Sequence, residues 1–127
     1  MSLAVSELTG ARERRLEVLV VAFGSPEPLD TSLAALEGAF PVVVVDNSSS
    51  PGTAAVARAH HARYVDSGGN VGFAAGVNLG LAATTVGSDV LLLNPDAAIR
   101  GADVRRLQHV LLASSDLACV APAQHPP

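Results

Sequence analysis

Four short stretches hold residues whose types and placement could do chemistry. Asp46 closes "PVVVVD" (41–46), and Asn94, Pro95 and Asp96 close "DVLLL" (89–93). A carboxylate at the end of a dry strand is costly unless something meets it. Asp96 can meet a divalent cation, since magnesium is commonly held by one or two carboxylates together with substrate phosphates. Asn-Pro-Asp is also an ordinary turn. Asp46 can accept a hydrogen bond from a ribose hydroxyl or a pyrimidine N–H, or cap its own turn with Asn47 and Ser48. The third stretch, "NVGFAAGVNLG" (70–80), opens with Asn70 and Gly72 at a helix entrance. Free N–H groups and the helix dipole favour an anion there. Asn70 and Asn78 add partners for uncharged groups such as a base or a sugar hydroxyl. The fourth is the turn "FGSPEP" (23–28).

Gly72, Gly76 and Gly80 recur every four positions, so they drift by only about 40° per step around a helix. They form a stripe without side chains, open to close approach by a ligand or by the sheet beneath. The dinucleotide fingerprint is absent, because the turn after the first strand reads "AFGSPEP" and lacks its glycines. A chain without lysine has no P-loop, and it lacks the lysine and acidic residues of a phosphoacceptor receiver domain. His60 and His61 lie together at a helix end, where a solvated pair is the expected use.

The elements that must hold these residues alternate. Strands are expected at 16–23, 41–46, 62–66, 89–93 and 116–122. Helices are expected at 29–40, with Leu29, Leu33, Leu36 and Phe40 on one face, from Ser50-Pro51 to about His60, after the glycine-rich loop, and at 101–114. Strand–helix alternation predicts an α/β fold, a mostly parallel sheet with helices on both faces. Ligands of such sheets gather at the carboxyl ends of the strands, where all four stretches fall. Residues 1–15 read as a polar leader, 16–122 as one domain and 123–127 as a tail.

Composition bounds the rest. The 127 residues are 49% hydrophobic and 16% charged with a net charge of −4, which fits one packed domain. Aromatics at 3% and the absence of a basic patch argue against a nucleic-acid partner. Cys119 is single, so the chain holds neither a disulfide framework nor a zinc–cysteine cluster. It is expected as a small hydrophobe in the fifth strand. No apolar run nears the roughly 18 residues of a membrane helix, and the start lacks a secretory pattern. A cytoplasmic location is expected, with the basic cluster "ARERR" (11–15) offering peripheral attraction to the membrane's cytoplasmic face.

Taken together, "VVVVDNSSSPGT", "NVGFAAGVNLG" and "VLLLNPDAAI" resemble glycosyltransferase family 2, nearest its rhamnosyltransferase-like branch, over residues 16–122. The resemblance implies a GT-A fold, Rossmann-like and here truncated, whose first half binds a nucleotide-diphosphate sugar (dTDP-, UDP- or GDP-linked). It implies that Ala22, Phe23 and Gly24 lie by the base and that Asp46, with Asn47 beside it, reaches the base or ribose. Asn70, Gly72 and Asn78 flank the nucleotide. Asn94-Pro95-Asp96 corresponds to the Asp-x-Asp motif, leaving Asp96 to hold Mg²⁺ or Mn²⁺. The implied activity is inverting hexosyl transfer, rhamnosyl among the options, to a hydroxyl, as in cell wall polysaccharide biosynthesis. Pro51 stands where the family commonly has aspartate, and the first strand lacks a terminal Tyr-Asn. The acceptor half with its general base is not recognised, and neither Asp103 nor Asp116 is a good substitute. A nucleotide-sugar binding domain without turnover is therefore the alternative. A bare sheet edge leads to the further expectation of a two-fold homodimer.

Overall fold

The computed structural model describes residues 14–123. The expected leader and tail lie outside these residues, apart from Arg14, Arg15 and Ala123. The elements run β1 (Leu16–Ala22), α1 (Pro26–Ala35), β2 (Val42–Asp46), α2 (Pro51–Ala59), β3 (Arg63–Asp66), α3 (Phe73–Ala83), β4 (Asp89–Leu93) and α4 (Gly101–Leu112). The strands form one parallel sheet in the order β3-β2-β1-β4. This is the α/β architecture expected from the alternation, and it agrees with the GT-A-like fold that the resemblance implies.

β1 is buried along its whole length because it lies inside the sheet with helices above and below, so it reads as a continuous apolar run rather than an alternating one. On one side Val18, Val20 and Ala22 pack with Leu29, Leu33, Phe40, Ala57 and Val104, from α1, α2, α4 and the segment after α1. On the other, Leu19, Val21, Val43 and Val45 meet Val77 and Ala83 of α3. One helix thus covers a face that three helices cover opposite. The glycine stripe explains how α3 sits so close. A Cβ on Gly76 would stand 2.8 Å from Val21 Cγ1, and one on Gly80 would run into Leu19. Gly76 and Gly80 therefore serve packing against the sheet, not a ligand.

Three expectations are corrected. The first helix starts earlier and ends at Ala35, because Pro26 is favoured in a first helical turn and Glu37 and Gly38 take positive φ. Phe40 reaches the core from the segment after the helix. The fifth strand does not form: 116–122 is irregular and Cys119 is exposed. The segment lies beside Ser88–Leu91 across a cavity of about 410 Å³. Leu117 is 42% exposed and Pro122 has no N–H to give a ladder, so neither burial nor hydrogen bonding holds it to β4. Third, His60 is not simply solvated, since its Nε2 lies 2.7 Å from Asp30 Oδ1 and joins α2 to α1.

Candidate functional site

The carboxyl ends of the strands form a rim. Across the ladder Asp66 pairs with Asp46 and Asp46 with Ala22, while Leu93 lies next to Val20. The rim thus runs from Asp66 through Asp46 and Phe23 to the turn carrying Asp96. Three interstrand spacings separate its ends, about 14 Å.

Asp46 is wholly buried. Its Oδ1 accepts from Ser48 N at 2.9 Å and Ser48 Oγ at 2.7 Å. Its Oδ2 accepts from Ser50 N at 2.8 Å and the Tyr64 hydroxyl at 2.7 Å. A carboxylate has about four lone-pair sites, and all are taken. Of the two uses weighed for Asp46, the structure shows the turn: it offers no oxygen outward. Burial by itself would raise its pKa, but the donors from Ser48, Tyr64 and Ser50 outweigh burial and hold it below the ordinary aspartate value. The turn it braces delivers Ser50, whose Oγ accepts from Thr53 N at 3.4 Å, as the cap of α2.

Asn47 is buried at 4% exposure, anchored by its N–H to Ala22 O at 2.8 Å. Its Nδ2 donates to Gly72 O at 3.1 Å, linking the end of β2 to the start of α3. Gly72, at φ 86° and ψ 170°, occupies the N-cap of α3, and no side chain caps this helix. Asn70 Oδ1 accepts from Gly72 N at 3.0 Å. The first N–H groups of a helix lack intrahelical partners, so Phe73, Ala74 and Ala75 present theirs beside the rim. Phe23 and Phe73 are exposed there, as are Gly24 and Asn70. Asn78 is exposed too, but it lies about half a turn around α3 from the sheet-facing Gly76 and Gly80, on the outer face of the helix, so the fold does not bring it to the rim. Ala22 is buried, so only its backbone faces the site.

At the other end, Ala97 N donates to Asn94 O at 3.0 Å and closes the Asn94–Ala97 turn. Ser32 Oγ of α1 donates to Ala97 O, while Leu93 before the turn is buried. Asn94 and Asp96 project from a loop held on both sides, and both are exposed. Among the described residues Asp96 has no salt-bridge partner, and no group of three His, Cys, Asp or Glu side chains could enclose a metal. One free carboxylate fits a divalent ion that keeps waters and shares a substrate's phosphates, and it does not fit one caged by protein alone.

Sequence reading missed Tyr64, Asp66 and Ser67. Tyr64 pairs with Val44, one step of the pleat short of Asp46 on the same face, and its aromatic side chain is long enough to span that diagonal. Burial, the bond to Asp46 and the charges of Asp46 and Asp66 push its hydroxyl up to about 12. Asp66 Oδ1 accepts from Ser49 Oγ at 2.7 Å and Gly68 N at 2.9 Å, and Ser67 Oγ donates to Asp46 O at 2.9 Å. The period-two spacing of Tyr64 and Asp66 in "YVDSGG" was the available signal.

The family model "Glycosyl transferase family 2" matches residues 17–126. The low-salt glycan biosynthesis hexosyltransferase Agl10 of Haloferax volcanii is 32% identical over 110 residues, 84% of this chain and 36% of that protein. A crystal structure of glucosyl-3-phosphoglycerate synthase from Mycobacterium tuberculosis, in complex with Mn²⁺, uridine diphosphate and glucosyl-3-phosphoglycerate, is similar in fold. It superposes with a TM-score of 0.69 at 22% identity, over 87% of this chain and 44% of that one. The chain therefore spans less than half the length of either protein.

Proposed function

Because this chain belongs to glycosyltransferase family 2, we propose that its rim binds a nucleoside-diphosphate sugar for hexosyl transfer to a hydroxyl acceptor. The observation that carries the reading is a helix start with no side-chain cap and an exposed Asp96, unpaired among the described residues, on the same rim. The N–H groups of α3 attract an anion while Asp96 repels one, and a diphosphate with a divalent cation satisfies both. Asp96 would hold Mg²⁺ or Mn²⁺, with Asn94 beside it. When bound, the ion supplies charge stabilisation to the departing diphosphate. That the similar synthase was crystallised with Mn²⁺ and uridine diphosphate supports this reading.

The chain's own residues bind and orient. The backbone of Ala22 to Gly24, the exposed Phe23 and Asn70 border the space for base and ribose. Asp46 acts at one remove, by bracing the turn that carries Asn47. A hexose is the proposed sugar, rhamnose included, and the proposed course is inversion by in-line displacement. We place the protein in the cytoplasm, at the membrane face if its basic cluster engages lipid.

Binding without turnover is the second reading, and one observation favours it. Once Asp96 holds a cation, the other rim carboxylates, Asp46 and Asp66, already accept from neighbours. Among the described residues Asp46 has no oxygen left, and the free Oδ2 of Asp66 lies at the opposite end of the rim from Asp96, so neither carboxylate stands beside the cation to take the acceptor's proton. Titrating UDP, dTDP and GDP, and their sugars, with Mg²⁺ and with chelator tests the binding. Donor turnover with an added acceptor separates the two readings, and a chain that binds none of these nucleotides refutes both.

A further inference from the structure

We infer that Asn47 is a positioning residue that holds the start of α3 in ligand-ready form at a cost to the unliganded fold. The inference rests on the rim being a nucleotide site. Gly72 O already accepts from Gly76 N at 3.1 Å, so the bond from Asn47 Nδ2 at 3.1 Å is not needed to satisfy the helix. The other half of the amide does worse: Asn47 Oδ1 is buried and has no hydrogen-bond partner among the described residues. Leaving a buried acceptor unmade costs free energy, whereas an apolar residue of the same shape can be neutral or better. Stability therefore does not account for an asparagine here.

Its geometry does. Gly72 sits at φ 86°, a region glycine enters and leaves freely. Two side chains hold it from opposite sides, Asn70 Oδ1 on its N–H at 3.0 Å and Asn47 Nδ2 on its carbonyl. The peptide so held points the N–H groups of Phe73, Ala74 and Ala75. Binding weakens when groups must be ordered at the moment of binding, and fixing them beforehand removes that loss. Asn47 does this from a rigid base, since its backbone is part of the β2–β1 junction.

The test uses the full chain, with Asn47→Leu as the near-isostere and Asn47→Ala as a second variant. Denaturant unfolding and calorimetric titration with UDP, dTDP and GDP in Mg²⁺ are read together. Asn47→Leu should unfold at the wild-type denaturant concentration or higher, yet bind the preferred nucleotide about tenfold more weakly. Asn70→Ala should weaken binding too, and the double variant should lose less than the product of the two losses, because both side chains restrain one residue. Wild-type affinity in a folded Asn47→Leu chain overturns the inference. So does failure of both Asn47 variants to fold, which would make the residue structural. A wild-type chain that binds no nucleotide overturns the reading of the rim, and this inference with it.

Discussion

The hydroxyl of Tyr64 donates to Asp46 Oδ2 at 2.7 Å, so the residue that ends β2 is tied to the neighbouring strand as well as to its own turn. The bond keeps each partner in the protonation state that makes it, phenol and carboxylate. Tyr64 is pushed up to about 12 from its ordinary 10.0, so the folded chain holds this proton more tightly than the unfolded chain. That contribution is complete below pH 10 and is lost as pH rises towards 12. Asp46 is shifted the other way; its contribution is complete above the ordinary aspartate value of 3.8 and is lost as pH falls below it. Tyr64 is the only tyrosine and there is no tryptophan, so absorbance titration reads it alone. An apparent pKa near 10 in the folded state would contradict the buried bond, and Tyr64→Phe should flatten the alkaline fall in stability.

Asp96→Ala should leave the fold intact, because the side chain is exposed and its turn is held by backbone and by Ser32. Nucleoside diphosphates should bind the wild type more tightly with Mg²⁺ than with chelator. In Asp96→Ala that difference should vanish. Equal affinity in both buffers for the wild type would remove the cation from the site.

The two ends of the glycine stripe should respond differently. Gly80→Val drives a side chain into Leu19, and overpacking of this kind costs about 1–3 kcal/mol or more. Gly72→Val meets open space but needs φ +86°, a strain of about 1–3 kcal/mol. Relieving it means moving the peptide that aims the α3 N–H groups. For equal losses of stability, Gly72→Val should cost more nucleotide affinity. Equal affinity losses at matched stability would mean that the site is not at the start of α3.

β4 is the sheet's edge next to β1, and Leu92 on it is 46% exposed. A groove of about 830 Å³ runs along β4 and α4, lined by Leu91, Leu93, Ile99, Leu107 and Val110. Among the described residues no strand pairs with this edge, and the irregular segment ending at Pro122 only borders the groove; an unpaired edge with apolar flanks is a template for association. The chain should self-associate reversibly in sedimentation equilibrium, as a two-fold dimer, and Leu92→Lys should shift it to monomer. A wild-type monomer at high concentration would count against this surface.

Local chemistry made much of this protein legible. The valines of 42–45 and the leucines of 91–93 read directly as strands, because a strand covered on both faces has no polar side to show. Ser50-Pro51 marked the start of α2 and the alternation predicted the parallel sheet. Asp96 stood out as a charge at the end of a dry strand, and Asn70 and Gly72 as the entrance of a helix, where free N–H groups favour an anion. Tertiary structure alone decided what those residues meet. For Asp46 the sequence left a ligand contact and its own turn equally open; its four donors come partly from Tyr64, on another strand, and register is invisible in a linear pattern. Gly72 stood apart at the helix entrance, but the sequence left packing and ligand approach both open along the stripe; that Gly76 and Gly80 face the sheet while Gly72 stands clear of it was decided by docking, since only docking chooses a helix face. Residues 116–122 had enough apolar character for a strand and did not become one, because strand formation depends on a partner's hydrogen bonds and on cover from both sides. Where one segment's own preferences sufficed, the sequence could be read; where the deciding atom belonged to a distant segment, it could not.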